Sequence, residues 1–223
     1  MKTMNRQHTR INNIFLGPLE RPALQWLAAH LPAWVTPDIC TIIGVMGALL
    51  TAISYGLSNI NAGFLWLASL GFVINWFGDS VDGTLARYRR IERPLYGYFI
   101  DHTTDVVSQT LIILGMGITP YVSFPVACFA LIAYLLLSAL VFLRTYVTDE
   151  FKISYGGWGP TESRVVAVLL NTVMYFMGMQ TIEWYGIRFS FYDIPVAAIA
   201  LVLLSFFFNT AILEARRLAA SGK

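Results

Sequence analysis

The sequence predicts an all-α integral membrane protein of six transmembrane helices, preceded by an amphipathic helix in the membrane interface. Two observations lead to this fold class. First, 57% of the 223 residues are hydrophobic and 13% are charged, whereas a soluble domain usually carries about 25% charged residues. Second, several uncharged runs reach or exceed the roughly 20 apolar residues that a bilayer-crossing helix needs. The net charge of +2 is too small to indicate a nucleic-acid partner.

The N-terminal region predicts the interfacial helix. Between residues 11 and 34, apolar side chains are interleaved with polar ones, and Trp26 and Trp34 are suited to anchor a helix at the membrane surface. An ordinary helix packed on the bundle is the alternative interpretation. Thr36 and Pro37 then fit the N-cap and the first position of the next helix.

The six spans follow from the apolar runs. Residues 39–78 contain no charge and are broken by the turn-forming stretch 55–61, which predicts helices near 38–56 and 62–86. Residues 106–143 are also uncharged and are broken at 117–120, which predicts helices near 97–117 and 121–146. Two further runs predict the last spans at 165–182 and 194–213.

The charge distribution predicts the orientation. Six crossings place both termini on one face, which carries nearly all the basic residues, whereas the opposite loops carry only Arg188. The positive-inside rule therefore places both termini in the cytoplasm. The predicted organisation is a cytoplasmic N-terminus with the interfacial helix (1–35), a six-helix transmembrane domain (36–215) and a basic cytoplasmic tail (216–223).

Four aspartates form two pairs at the cytoplasmic ends of neighbouring predicted helices. Asp79 and Asp82 share one helix face, and Asp101 and Asp105 share another. The short connection makes these helices antiparallel neighbours, so the two acidic faces can converge. Converging carboxylates in an apolar protein must be paired, neutralised or bound to metal. Oxygen ligands favour Mg²⁺, Mn²⁺ or Ca²⁺, and a pair of such ions is usual in phosphoryl chemistry.

Small residues accompany the aspartates. Gly83 and Ala86 follow the first pair, and Gly97 lies one turn before the second, which lets a bulky ligand approach the backbone. Arg87 can bind a phosphate or a neighbouring carboxylate. Two other interpretations stay open at this point. One is an acidic helix end neutralised by nearby arginines, which does not require the glycines. The other is a cation or proton transporter, for which the acids lie at helix ends rather than mid-span.

The string D-x2-D-G-x2-A-R, followed by G-x3-D-x3-D, resembles the signature of the CDP-alcohol phosphotransferase family at every fixed position. The predicted six-helix bundle with its interfacial helix is also similar to that family. The resemblance implies an enzyme of phospholipid synthesis that transfers a phosphoalcohol from a CDP-linked alcohol to a second alcohol and releases CMP. It further implies a homodimer.

The resemblance also implies roles for individual residues. Two divalent cations, Mg²⁺ or Mn²⁺, would be held by Asp79, Asp82, Asp101 and Asp105, and Asp105 would also deprotonate the acceptor hydroxyl. Gly83, Ala86 and Arg87 would line the CDP site. Residues 36–41 resemble an element that lines the cytidine pocket, which adds Thr36, Pro37, Asp38 and Thr41 to the expected nucleotide site. A simple helix start is the alternative for this last element.

Candidate residues for the acceptor or a lipid headgroup are Arg144, Lys152, Glu162 and Arg164. A helix cap alone explains most of residues 159–164, and solvated charge is the alternative for Arg144 and Lys152. The sequence Gly-Pro-Thr-Glu is similar to an element of the choline and ethanolamine phosphotransferases, and it departs from the element of phosphatidylglycerophosphate synthases. His102 points about 100° away from Asp101 on a helix, so we interpret it as a packing or supporting residue.

CDP-diacylglycerol is the expected donor, because it is the common substrate of small members that resemble this chain. The alternatives are CDP-choline or CDP-ethanolamine donated to diacylglycerol, a divalent-cation transporter, and a scaffold with a decayed site. The complete acidic set argues against decay. The acceptor stays open among inositol, inositol phosphate, glycerol phosphate, serine, choline and another phospholipid.

Overall fold

The computed structural model describes residues 9–11, 15–148, 150–152, 159–184 and 187–220. Within these ranges the chain forms seven helices and four short strands. In chain order they are β1 (Thr9–Ile11), α1 (Gly17–His30), α2 (Pro37–Leu57), α3 (Phe64–Arg89), α4 (Pro94–Ile118), α5 (Phe124–Thr148), β2 (Glu150–Lys152), α6 (Pro160–Met177), β3 (Thr181–Trp184), β4 (Ile187–Ser190) and α7 (Asp193–Ala220). The strands pair as β1 with β2, parallel, and β3 with β4, antiparallel.

All six helices predicted from the apolar runs are present, and the largest error concerns the fifth. The apolar run 165–182 extends too far, because α6 runs from Pro160 to Met177. The cap expected at residues 159–164 is confirmed, since the Glu162 carboxylate accepts a hydrogen bond from the backbone N–H of Gly159. The helix stops at Gly178, which has a left-handed φ of 66°. Ile182, at the end of the predicted span, belongs to β3.

The predicted interfacial helix is shorter than expected. Residues 12–14 lie outside the described part of the chain, Ile11 belongs to β1, and α1 ends at His30. Leu24 and Ala28 of α1 are buried, whereas Phe15, Leu19 and Trp26 keep 73%, 75% and 61% of their surface exposed. The helix thus has one buried face and exposes large apolar side chains elsewhere, which is compatible with an interfacial position.

Four helices of the described chain are long and apolar enough to cross a membrane: Pro37–Leu57, Phe64–Arg89, Phe124–Val147 and Asp193–Ala220. The prediction of six spans is therefore met in part. Of the six predicted spans, the other two are α4 and α6. Both contain charged residues in the half that carries the candidate site. Helices of this kind depend on polar partners inside the protein if they are to lie in a membrane.

The helices pack as a chain of neighbours. Helix α2 lies between α3 and α4, α5 lies between α4 and α7, and both α6 and α1 pack on α3. The contact between α2 and α3 is made by backbone, because an added Cβ at Gly47 or Gly71 would overlap backbone atoms of the other helix. Gly115 of α4 allows a similarly close approach to Ala52 of α2. The ends of α3 and the starts of α2, α4 and α6 consequently meet at one end of the bundle.

Hydrogen bonds of Glu20 and Arg89 attach helix α1 to this end of the bundle. A single oxygen of Glu20 accepts hydrogen bonds from the Trp76 indole at 2.8 Å, the Ser80 hydroxyl at 3.3 Å and the Thr161 hydroxyl at 2.9 Å. Arg89, at the end of α3, donates to backbone carbonyls of the segment 31–35 that joins α1 to α2. The N-terminal helix is therefore attached to both α3 and α6.

We expect Glu20→Ala to destabilise the protein by about 1–3 kcal/mol, because three partly buried donors lose their acceptor. Thermal unfolding in detergent, followed by circular dichroism, measures the effect. Gln25→Ala is the matched control, since Gln25 is an exposed residue of the same helix. Equal melting temperatures for the two variants would contradict this role of Glu20.

Candidate active site

The four aspartates predicted as a cluster are brought together by the antiparallel packing of α3 and α4. Asp79 and Asp105 are close electrostatic neighbours, and Asp101 is an electrostatic neighbour of both Asp105 and Asp82. Asp79 and Asp82 lie on α3, and Asp101 and Asp105 lie on α4. Convergence of the two acidic faces, expected from the i, i+3 and i, i+4 spacings, is thus present in the structure.

Neighbouring groups already orient two of these carboxylates. The Thr41 hydroxyl donates to Asp82 Oδ2 at 2.7 Å, and the Gly83 N–H donates to Asp82 Oδ1. The Arg164 Nη2 donates to Asp79 Oδ2 at 2.6 Å, so a hydrogen bond connects Asp79 of α3 to α6. Such hydrogen bonds fix the rotamers of acidic side chains, as is usual around metal ligands.

The donor set fits divalent metal ions. Four carboxylates supply only oxygen atoms, which suits Mg²⁺ and Mn²⁺, and close like charges of this kind are relieved when a cation binds between them. Possible ligand atoms of Asp101, His102 and Asp105 lie within 4.8 Å of one another. The His102 ring is also stacked on Phe142, with centroids 5.1 Å apart, and meets Tyr98 edge-on. The packing role predicted for His102 is therefore present beside its proximity to the acids.

The residues predicted for nucleotide binding surround the same end of α2 and α3, with several already engaged. The Thr36 hydroxyl accepts a hydrogen bond from Ile39 N–H, and thus caps α2. Asp38 forms a two-oxygen ion pair with Arg93, and this partner raises the pKa of the Arg93 guanidinium above its usual range. The Arg93 guanidinium also lies 4.1 Å from the centre of the Tyr96 ring. The start of α2 is in this way joined to the start of α4.

The remaining predicted nucleotide residues are Pro37, Gly83, Ala86 and Arg87. Pro37 is the first residue of α2, and Thr41 directs its hydroxyl to Asp82. A Cβ at Gly83 would lie 3.3 Å from the Arg87 guanidinium, which is exposed. The glycine therefore leaves room for the arginine, whose Nη2 donates to the Thr84 hydroxyl.

The candidate acceptor residues differ in their partners and in their relation to the acidic cluster. Glu162 is buried, and its two oxygens accept hydrogen bonds from Leu16 N–H and Gly159 N–H. Arg144 forms an ion pair with Glu214 at 2.7 Å, which joins the ends of α5 and α7. The side chain of Lys152 lies outside the described part of the chain. Arg164 contacts the acidic cluster directly, through Asp79.

Asn75 and Tyr134 are among the polar residues of the site that sequence reasoning missed. The Asn75 amide donates to the Gly44 carbonyl and accepts from Arg164 Nε, both at 2.9 Å. Tyr134 of α5 is an electrostatic neighbour of Asp105 and Arg164. The i, i+4 spacing of Asn75 and Asp79 could have indicated the first. No comparable signal marks Tyr134, because its helix is uniformly apolar around it.

A small polar cavity lies directly inside the acidic cluster. Residues of three helices, α2, α3 and α4, line it. Its lining residues are Thr41, Gly44, Val45, Asn75, Asp79, Thr104, Asp105 and Ser108.

Comparisons with known proteins agree with the family resemblance of the aspartate motif. The sequence model of the CDP-alcohol phosphatidyltransferase family matches residues 34–209. Cholinephosphotransferase 1 of Gallus gallus is 29% identical over 176 residues, which is 73% of this chain and 50% of that protein. Phosphatidylinositol phosphate synthase of Cutibacterium acnes is 36% identical over 90 residues, 40% of this chain and 41% of that protein. The chain thus spans about half the length of these curated relatives.

A solved structure has the same fold. The phosphatidylinositol phosphate synthase of Mycobacterium tuberculosis, in a structure with CDP-DAG bound, matches with a TM-score of 0.52. The match covers 89% of this chain and 90% of that one at 17% sequence identity. At this identity the likeness concerns the fold of the bundle.

Proposed function

The chain belongs to the CDP-alcohol phosphatidyltransferase family, and on that premise we propose that it transfers a phosphoalcohol, most readily a phosphatidyl group, from a CDP-linked donor to an acceptor alcohol with release of CMP. The observation that carries this proposal is the convergence of Asp79, Asp82, Asp101 and Asp105 within the matched region. The family match argues against a cation transporter.

The four aspartates are proposed as ligands of two divalent cations, Mg²⁺ or Mn²⁺. When bound, these ions supply charge neutralisation for the donor diphosphate and for the departing CMP. Thr41 and Arg164 hold Asp82 and Asp79 in place. Orientation of the ligands before substrate arrives avoids the cost of reorganisation during the reaction.

Asp105 is proposed as the general base. The acceptor hydroxyl oxygen attacks the phosphorus of the transferred group, its proton moves to an Asp105 oxygen, and the phosphorus–oxygen bond to CMP breaks. Asp105 lies on the wall of the polar cavity with Thr104 and Ser108, which are groups that can accept or donate hydrogen bonds to a hydroxyl. We assign Gly83, Ala86, Arg87, Thr36, Pro37, Asp38 and Thr41 to the CDP site. For Asp38, this requires the Arg93 ion pair to open or to take part in binding.

CDP-diacylglycerol is the proposed donor. It is supported by the likeness to phosphatidylinositol phosphate synthases, one of which has CDP-DAG bound. The second candidate is transfer from CDP-choline or CDP-ethanolamine to diacylglycerol, which the longer match to cholinephosphotransferase 1 favours. Arg144, Lys152, Glu162 and Arg164 stay predictions for the acceptor or headgroup. For Glu162 the backbone contacts described above already account for its burial.

The protein is an integral membrane protein, and we propose that α4 and α6 complete six spans with both termini and the active site facing the cytoplasm. The proposed domain limits are 1–35, 36–215 and 216–223, with α1 lying in the interface through its exposed Phe15, Leu19 and Trp26. A homodimer is proposed on family likeness.

The test is CMP release by purified protein in detergent. We expect release to require Mn²⁺ or Mg²⁺, to fall to background in EDTA, and to return when the metal is added back. Offering CDP-diacylglycerol, CDP-choline and CDP-ethanolamine with a panel of acceptor alcohols identifies the substrates. Release with CDP-choline and diacylglycerol alone would favour the second candidate. Metal-independent release, or none with any donor from folded protein, would contradict the proposal.

A further inference from the structure

Arg164 forms a buried bridge between α6 and the acidic cluster. Its side chain is 7% exposed, and its guanidinium donates to Asn75 Oδ1 through Nε and to Asp79 Oδ2 through Nη2. Asn75 in turn donates to the Gly44 carbonyl of α2. The guanidinium is therefore held from two sides and has a defined position relative to Asp79.

Stability alone is a poor explanation for this arrangement. Burying an ion pair costs desolvation free energy that its attraction repays only when all polar atoms are satisfied. Among the described residues, nothing accepts a hydrogen bond from the buried Nη1 of Arg164. A residue that leaves a buried donor unsatisfied is expected to have a use beyond packing.

The charges around Arg164 indicate that use. Asp79 and Asp105 are electrostatic neighbours of each other and of the guanidinium. Asp101 and Asp82 add further negative charge close by. Without bound cations, these carboxylates repel one another in a poorly solvated site. Arg164 supplies a positive charge that offsets part of this repulsion, while leaving the second oxygen of Asp79 to other partners.

We propose that Arg164 is a positioning residue that serves as an internal counter-ion of the metal site. It fixes Asp79 in one orientation and keeps the four carboxylates together whenever the cations are absent. The inference rests on the proposed metal-dependent function and adds a role to α6 that the aspartate motif does not contain.

The test compares the melting temperature of the purified protein with and without saturating Mn²⁺. In Arg164→Gln the metal-free site has lost a positive charge, so the four carboxylates repel one another more strongly. Binding of Mn²⁺ then relieves more repulsion than in the original protein. We expect the Mn²⁺-induced rise in melting temperature to be larger in Arg164→Gln, by about 4 °C or more. We also expect kcat at saturating Mn²⁺ to fall about 10–100-fold, because Asp79 is no longer oriented, with little change in KM.

The matched control is Asn171→Leu. Asn171 lies about 10 Å further along α6, is buried, and makes two side-chain hydrogen bonds to α3 and α2 through Ser69 and Tyr55. Its loss should lower the melting temperature by a similar amount with and without Mn²⁺. Arg164→Lys keeps the charge without the planar fork, so it should keep the Mn²⁺-induced rise close to that of the original protein. If Arg164→Gln fails to fold, Arg164→Lys provides the measurement instead. A Mn²⁺-induced rise in its melting temperature that differs from that of the original protein would then contradict the proposal.

Two failures are distinguishable. If the original protein shows a Mn²⁺-induced rise and Arg164→Gln shows the same rise, Arg164 is only a packing contact and the inference is wrong. If the original protein shows neither a rise nor metal-dependent CMP release, the proposed metal site itself is wrong, and the inference falls with it.

Discussion

Asp105→Asn is expected to lower the rate of CMP release by about 10³-fold, the range that a lost general base usually costs. The amide keeps nearly the shape of the carboxylate but cannot accept the proton of the acceptor hydroxyl. It also removes one negative charge from a proposed cation site. Single-turnover CMP release at saturating Mn²⁺ measures the effect without a contribution from product release.

The position of Asp105 explains why no neighbour should replace it. Asp105 is an electrostatic neighbour of Asp79 and lines the cavity between α2, α3 and α4. Asp79 already shares an oxygen with Arg164, and Asp82 is held by Thr41. Of the motif carboxylates on α4, Asp105 is the one that lines the cavity in which an acceptor hydroxyl would lie.

Asp193→Asn provides the control for loss of a buried carboxylate. Asp193 accepts hydrogen bonds from Ser123 N–H and Ser190 N–H at the opposite end of the bundle. This variant should be less stable but should retain the specific activity of its folded fraction. Asp105→Asn with more than a tenth of the original rate would contradict the assignment of the base.

The site was predictable to the extent that it depends on spacing within a helix. The intervals between Asp79 and Asp82, and between Asp101 and Asp105, place each pair on one face, and the short connection brings the faces together. The apolar runs located the helices because burial in lipid demands length and hydrophobicity. The same runs could not give the ends of α6, which depend on a side-chain cap and a left-handed glycine rather than on hydrophobicity.

Contacts between distant parts of the chain were not predictable in the same way. Arg164 and Asp79 are separated by 85 residues, and Glu162 and Leu16 by 146. Nothing in the local pattern of α6 distinguishes an arginine that contacts an acceptor from one that contacts a metal ligand. Packing of α6 against α3 decides between them, and this packing follows from the tertiary fold.

The same argument explains Glu20 and Asp38. Both are acidic residues near helix starts, where acids are favoured by the helix dipole, and the sequence indicates neither Glu20's partners nor the pairing of Asp38 with Arg93. In the structure, Glu20 joins α1 to α3 and α6, and Asp38 joins the start of α2 to Arg93. The end of the bundle that carries the aspartates is therefore fixed by a ring of polar contacts from several elements.

Gly78→Ala is also expected to have a large effect on stability and activity, because the added methyl group separates α2 from α3 beside the aspartates. A Cβ at Gly78 would overlap the Gly44 backbone nitrogen and the Cys40 carbonyl oxygen of α2. These are backbone atoms, so no side-chain rotation can relieve the overlap and the helices must move apart. Overpacking of this kind costs about 1–3 kcal/mol.

The movement should also affect catalysis, since Asp79 follows Gly78 directly. A displacement of about 1 Å at a catalytic group can cost about 10²-fold in rate. We therefore expect Gly78→Ala to lower the melting temperature, to weaken binding of Mn²⁺ measured by paramagnetic resonance, and to reduce CMP release from the folded protein by about 10²-fold.

Gly56→Ala is the matched control, on the helix that faces Gly78. An added Cβ at Gly56 has no atom within 4 Å, and the backbone there does not have a left-handed φ. This substitution should leave activity unchanged and slightly raise stability, because alanine loses less backbone entropy than glycine on folding. Equal effects of the two substitutions would contradict the close backbone packing of α2 on α3. Loss of stability in Gly78→Ala without loss of Mn²⁺ binding or activity would show that this packing does not position Asp79.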